Sequence, residues 1–463
     1  MPGSIRRSFV AALSASVVGV LSLAGPSCAT AETLTYGPFL SRGRTPDSMI
    51  VRWGTAGMAD PTTVKVRRKG DTAYMMQAGA PARDHEIVLG GLRPSTVYEY
   101  AVESGTVLSS VNSFATCPTI GDNLPLDVVF YGDSRDGPTA HARLLDEVRK
   151  RVPDMVFESG DIAPSGQYGQ YLGEFFPATK GLFASVPFMP APGNHDAGSP
   201  YRDNYGAIFP SPRPAGAPWT PYYSIACGRS VFIALDSNAV MDSGQNDFLQ
   251  QTLASAAQSA EVVHVFVWFH HAAYSPGSHG DAREVITRWV PLFNDPKNKV
   301  TAVFGGHDHV YARMRDPDSP VLYIVSGGAG APLYSDTRTS RATKVVSKSA
   351  YNFVSLRIVD RTVSGVAYSD VGVEIDRFSV TKPGGDPPPM PMPDMGQPDA
   401  MPMDPNQPDP LPPMGGEGGC SFLGVASAAG AQRASTPVVL ALSLLSLGCA
   451  AFFRRRSRPR AAS

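Results

Sequence analysis

The side chains in this sequence best suited to hold metal ions sit in five short stretches. They are Gly132-Asp133, Gly160-Asp161, Gly193-Asn194-His195-Asp196, His270-His271 and Gly305-Gly306-His307-Asp308-His309. Imidazole nitrogens mixed with carboxylate and amide oxygens are the donors of iron, zinc and manganese sites, and they do not select among those metals. His307 and His309 follow the apolar run from Val300 to Phe304 and stand one residue apart. Alternate side chains diverge, so this pair can reach two different ions. One such pair is a weak signal, since a GHDH string also occurs as an ordinary loop; five stretches, each after an apolar run, are a much stronger one.

Each stretch needs an element to carry it. The continuous apolar run Leu126 to Tyr131 predicts a buried strand ahead of Asp133, and Met155-Val156-Phe157 predicts another ahead of Asp161. Between them a helix is expected from about Thr139 to Val152, with Leu144, Leu145 and Val148 on one face. Strand, helix, strand with donors at the strand ends is the arrangement of open α/β sheets, where chemistry gathers beyond the carboxyl ends. Pro187 to Pro190 leads to Asn194, and the strand Val262 to Phe269 leads to His270-His271. Further strands are expected near Tyr222 to Ile225, Val231 to Leu235, Val321 to Val325, Phe353 to Val359 and Thr362 to Tyr368. Helices are expected from about Gln245 to Gln258 and Ala282 to Phe293, and His264, inside a strand, reads as structural.

Residues 34–117 have a different character and predict a small all-β sandwich. Alternation marks Met49 to Trp53 and Thr63 to Arg67 as strands. In Gly91 to Ser104 a Leu-x-Pro turn enters a strand whose Val97, Tyr98 and Tyr100 would pin a sandwich corner. No catalytic grouping falls here, and His85 is expected at the surface.

With 463 residues the chain has room for two or three domains, and a formal net charge of -1 gives no reason to expect nucleic acid. None of the five cysteines forms a CxxC pair, which argues against a thiolate zinc site. Residues 1–31 combine Arg6-Arg7, an apolar stretch from Phe9 to Leu23 and small residues around Cys28, and so predict an export signal. Cys117 and Cys227 are the cysteines of the folded part, and export would permit a disulfide between them without placing them near each other. Residues 383–419 begin with a Pro-, Met-, Asp- and Gly-rich tract that reads as an extended spacer. Residues 420–463 carry Cys420, the apolar run Val438 to Phe453 and an arginine cluster, so membrane contact is expected only through this segment.

In order and spacing the five stretches resemble the calcineurin-like metallophosphoesterase superfamily, over residues 124–380. With a fibronectin type III-like domain in front, in which Trp53 would be the buried tryptophan, the chain looks most like the purple acid phosphatases. The tail is similar to the myxobacterial C-terminal sorting tail, and the leader resembles a twin-arginine signal. The resemblance implies an α/β fold: a two-sheet metallophosphoesterase sandwich flanked by helices, preceded by the small β-sandwich. It implies two metal ions, iron, zinc or manganese, bridged by Asp161. One would take Asp133 and His309, the other Asn194, His270 and His307. A hydroxide on the ions would attack phosphorus, and His195 would protonate the leaving group. The family pattern favours His270 over His271 as ligand, and His279 matches a substrate-contacting histidine.

Two positions depart from that pattern. Arg135 stands where the superfamily's first motif has a histidine, and Pro164 stands where purple acid phosphatases have a tyrosine. The missing tyrosine argues against a purple iron site. Arg135 is a candidate for binding substrate phosphate with its planar fork, and His141 is a candidate extra ligand. The expected activity is hydrolysis of phosphate monoesters of small molecules by a protein exported to the periplasm, the cell surface or the medium after tail processing. The alternatives are a phosphodiesterase or nucleotidase with the same ion pair, and a surface adhesion protein with a decayed metal site.

Overall fold

Two β-sheets packed face to face carry the five donor stretches. The structure, a computed structural model, describes residues 33–59, 61–198, 202–213 and 217–384. The expected export signal, the spacer beyond residue 384 and the 420–463 segment lie outside the described residues.

One sheet has six strands, in the spatial order Phe188–Pro190, Met155–Glu158, Leu126–Tyr131, Asn352–Val359, Thr362–Ser369 and Glu374–Thr381. The other has seven: Tyr223–Cys227, Ser230–Ala234, His264–His271, Val300–Gly306, Leu322–Ser326, Tyr311–Arg315 and Thr343–Lys348. The first three strands of the six-stranded sheet pair in parallel, as do His264–His271 and Val300–Gly306, so each set delivers its donor residues at its carboxyl ends. Their sequences are continuous apolar runs because both faces are covered. Between the sheets Phe130 stacks on Phe304 with centroids 3.8 Å apart and on Phe157 at 4.5 Å. On the outer faces, the helix Pro138–Lys150 buries Leu144, Leu145 and Val148, and the helix Ser243–Gln258 buries Leu249 and Leu253. Full burial of each such side chain contributes on the order of 1.5–3 kcal/mol.

Some boundaries differ from expectation for local reasons. The helix expected over 282–293 is two short ones, Arg283–Arg288 and Val290–Asn294, joined at Trp289. Pro291 cannot donate a backbone hydrogen bond and so begins a new helix rather than continuing the old one. The strand expected to stop at Phe269 runs on through both histidines. Thr343–Lys348 went unrecognised because it is an exposed edge strand with no apolar alternation.

Ahead of this domain stand a three-stranded sheet (Leu34–Arg42, Met49–Ala59, Ala82–Leu89) and a five-stranded one built around Thr62–Arg68 and Val97–Ser104. They enclose a separate core containing Trp53, Val64, Tyr98, Tyr100 and Phe114. The indole Nε1 of Trp53 donates to Ser104 Oγ at 2.7 Å, and the Tyr98 hydroxyl accepts from Arg93 N at 2.9 Å, pinning the corner. His85 is not at the surface. It is fully buried, stacked on Trp53 at 4.8 Å, with its ring nitrogens each 2.9 Å from the hydroxyls of Thr55 and Thr62. Strand alternation puts it on the inner face with Ile87 and Leu89, and Trp53 covers it there.

This region is fixed to the two larger sheets. Tyr100 Oη donates to Ala184 O and Ser41 Oγ to Phe188 O, both at 2.8 Å. Cys117 and Cys227 form a disulfide with Cα atoms 5.2 Å apart across 110 residues of sequence. In the chain-entropy view, closing a loop of that size stabilises by about 4–5 kcal/mol. No helix among the described residues is long and apolar enough to cross a membrane.

Candidate metal centre

At the facing edges of the two sheets, Asp133, Asp161 and His270 bring ligand atoms within 4.8 Å of one another, all three buried. Sharp corners at the strand ends aim them inward: Asp133, Asp161 and His307 have φ of 63, 60 and 71°. Aspartate and histidine are among the side chains found more often in this left-handed region, and such strain gathers at functional sites. Two glycines allow the backbone to close on the carboxylates. A Cβ at Gly306 would lie 2.2 Å from Asp133 Oδ2, and one at Gly193 would lie 2.1 Å from Asp161 Oδ1. In the space so left, His307 N donates to Asp133 Oδ2 at 2.9 Å and His195 N donates to Asp161 Oδ1 at 3.0 Å.

On one side of Asp161 the donors crowd together. His270 Nδ1 donates to Ser159 O at 3.0 Å, which leaves Nε2 with a lone pair. That lone pair faces Asn194 Oδ1 at 2.8 Å and Asp161 Oδ1 at 3.3 Å, both acceptors, with His307 Nδ1 at 3.1 Å. Burial, with a smaller push from His271, holds the His270 imidazole far below its ordinary pKa, so a proton does not resolve the clash. A metal ion does, and the donor set fits one. His271, by contrast, turns its Nδ1 to Ser237 Oγ at 2.8 Å.

The other side is more sparsely furnished. His309 Nδ1 donates to Pro332 O at 2.6 Å, and its Nε2, buried and without a hydrogen-bond partner, lies 3.5 Å from Asp133 Oδ1. Burial lifts the Asp133 carboxyl to about 6 despite the opposing pull of His309. Arg135 enters here, its Nε donating to Asp161 Oδ2 at 3.1 Å and its Nη1 to Asp136.

His195 is oriented through Nδ1, which donates to Pro164 O at 2.5 Å, and its Nε2 lies 3.9 Å from Asp161 Oδ2. Two aspartates inside the motifs turn out to be anchors. Asp196 accepts from the backbone nitrogens of Asp161 at 2.8 Å and Gly193 at 3.0 Å and from Tyr171 Oη at 3.0 Å. Burial, and next the Asp161 charge, raise its carboxyl to about 7. Asp308 accepts from Ser275 Oγ at 2.5 Å and from His279 N and Nδ1 at 2.9 and 3.0 Å. His279 is thereby held over His307, ring centroids 4.0 Å apart, with its side chain 42% exposed. Tyr334, which no motif marked, stacks on His309 at 4.0 Å.

His141 has a different setting from the one expected. It is buried against Phe175, and its Nε2 is 3.3 Å from Tyr131 Oη. Helix packing accounts for it: residue 141 shares the buried face of Leu144, Leu145 and Val148. His264 is structural, with Nδ1 2.9 Å from Thr301 Oγ1 and Nε2 3.0 Å from Asp360 O.

Comparison with known proteins agrees with this geometry. Residues 126–311 match the model of the calcineurin-like phosphoesterase family. The probable inactive purple acid phosphatase 27 of Arabidopsis thaliana is 26% identical over 422 residues, spanning 74% of this chain and 69% of the relative. Acid phosphatase type 7 of Danio rerio is 22% identical over 397 residues, spanning 73% of this chain and 88% of the relative. Among solved structures, the purple acid phosphatase from yellow lupin (Lupinus luteus) seeds superposes with a TM-score of 0.66 at 19% identity, covering 74% of each chain. At that identity the likeness establishes the fold.

Proposed function

We propose that this chain, with its calcineurin-like phosphoesterase domain, is a metal-dependent phosphomonoesterase acting on phosphorylated small molecules outside the cytoplasm. The observation that carries the reading is the meeting of His270 Nε2 with Asn194 Oδ1 at 2.8 Å and Asp161 Oδ1 at 3.3 Å, a buried set of imidazole, amide and carboxylate donors of the kind that holds a metal ion. In this reading Asp161 is shared. Asn194, His270 and His307 complete one ion's ligands, and Asp133 and His309 serve a second. When bound, such ions supply Lewis acidity toward phosphoryl oxygens and generate the nucleophile at neutral pH.

The chain's own residues do the rest. His195, fixed at Nδ1 by Pro164 O, carries a proton on Nε2 in its cationic form and delivers it to the departing oxygen. His279, held at Nδ1 by Asp308, presents its outer edge to the phosphate. Arg135 spends Nε and Nη1 on Asp161 and Asp136, while Nη2 makes no hydrogen bond to the described residues and is left for a phosphoryl oxygen. Residues 34–117 are proposed as a fibronectin type III-like support, residues 1–31 as the export signal and residues 420–463 as a sorting or anchoring segment.

A second reading is a binding protein with an idle centre. It is favoured by Pro164 in the tyrosine position and by three relatives whose names carry the words probable inactive. Assaying the purified chain with a chromogenic phosphomonoester and a diester, with and without added zinc, manganese or iron, separates the readings. Turnover of the monoester that a chelator abolishes is expected. A folded protein inert toward both esters across metals and pH sinks the enzyme reading, and preference for the diester moves it to the phosphodiesterases.

A further inference from the structure

We propose that Arg135 is a built-in cation of the centre that makes its two halves unequal: the Asn194–His270–His307 half holds an ion tightly, and the Asp133–His309 half holds one at least about tenfold more weakly. The inference rests on the metal-centre reading above and goes beyond it by giving the two positions different occupancies.

Asp161 has one negative charge to share and divides it unevenly. Its Oδ1 faces His270 Nε2 at 3.3 Å, whereas its Oδ2 accepts from Arg135 Nε at 3.1 Å. A guanidinium does not lose its proton in a protein, so this positive charge is permanent. Nor is Arg135 a surface arginine that swings aside. Its side chain is 12% exposed, its backbone N donates to Asp161 O at 3.1 Å and its Nη1 is bonded to Asp136. An ion beside Asp133 and His309 meets this charge at short range, and like charges in a partly buried site repel more strongly than in water.

The same half is short of donors. Pro164 offers no side-chain ligand, and its carbonyl is taken by His195 Nδ1. What remains is Asp133, the unpartnered Nε2 of His309 and a share of Asp161. Charge and ligand count therefore weaken the same position, while the crowded half keeps two imidazoles and an amide beside Asp161. Arg135 acts through Asp161 and the local field, so here it is a positioning and charge-setting residue.

The test is metal stoichiometry, independent of turnover. The full chain, stripped with a chelator, is titrated with Zn²⁺ by calorimetry, and retained zinc is counted by mass spectrometry after desalting. The wild-type chain should retain one equivalent, with a second visible only in the titration and at least tenfold weaker. Arg135→Gln, which keeps an amide for Asp161 but removes the charge, should narrow the gap to a few-fold and carry the second equivalent through desalting. Arg135→Lys should keep the gap. Two tightly held equivalents in the wild type, or an unchanged gap in Arg135→Gln, overturns the proposal but leaves the metal centre standing. No zinc bound at all overturns both. Should Arg135→Gln fail to fold, Arg135→Met removes the same charge and is read against the same gap, and two tightly held equivalents in the wild type still overturn the proposal.

Discussion

The two sides of Asp161 both combine imidazole nitrogen with side-chain oxygen and are furnished differently. On one side the Asn194 amide oxygen and the His307 imidazole approach His270 Nε2 at 2.8 and 3.1 Å, drawn from strand ends in both sheets. On the other, one carboxylate and one imidazole face each other at 3.5 Å, and an arginine occupies the neighbouring oxygen of Asp161. Strand geometry alone does not distinguish the sides, since both sit beyond the carboxyl ends of parallel strands. Two side chains do: Arg135 and Pro164. A duplicated-looking site can thus become asymmetric without any change in fold.

Substitutions that strip each side in turn break or sharpen this contrast. The largest effect is expected from the shared residue: Asp161→Asn should lower kcat by at least about 10³-fold and release bound metal, because both positions depend on it. One-sided removal follows. His270→Ala should cost the retained ion, whereas His309→Ala should leave it in place and remove only the weak one, both read as metal per chain after desalting. Equal losses in the two variants would erase the contrast.

A step down, His195→Ala should reduce kcat by about 10²–10⁴-fold on alkyl phosphates. The loss should be smaller on a p-nitrophenyl ester, whose leaving group needs little protonation, and metal content should not change. His279→Ala should raise KM several-fold with a smaller effect on kcat, since its ring lies over His307 rather than among the ligands.

The smallest effect belongs to a histidine outside both sides. Burial pushes the His141 imidazole down from 6.5 to about 3, so the folded chain holds it neutral. The unfolded chain binds that proton below pH 6.5, so the contribution of His141 to stability is complete above that pH and is lost as pH falls from there toward 3. His141→Leu should therefore flatten the decline in Tm between pH 7 and pH 5 and leave the metal count unchanged. A variant that loses an ion would return His141 to the ligand set.

Much of the centre was legible because apolar strands and the donors that follow them are local patterns. Asp133, Asp161, Asn194, His270, His307 and His309 each stand at or just past a strand end that hydrophobicity alone marks, and parallel pairing gathers such ends. The Leu-x-Pro turn before Tyr98 is equally local, and its corner hydrogen bond is present. What local pattern cannot carry is the identity of a distant partner. The residues that meet His85, namely Trp53, Thr55 and Thr62, and the Phe175 ring on which His141 packs, come from other segments of the chain. Tyr334 has no motif, and only the folded chain lays it on His309.

By itself, then, the sequence determined most of the strands and helices, the order of the donor stretches and the kind of donor atoms they offer, because each depends on residue type and short-range spacing. Tertiary structure alone decided that Cys117 meets Cys227, that Tyr334 covers His309, and that Arg135 claims one oxygen of Asp161. These outcomes turn on distances of a few ångströms between segments far apart in the chain, and such distances exist only once both sheets have packed.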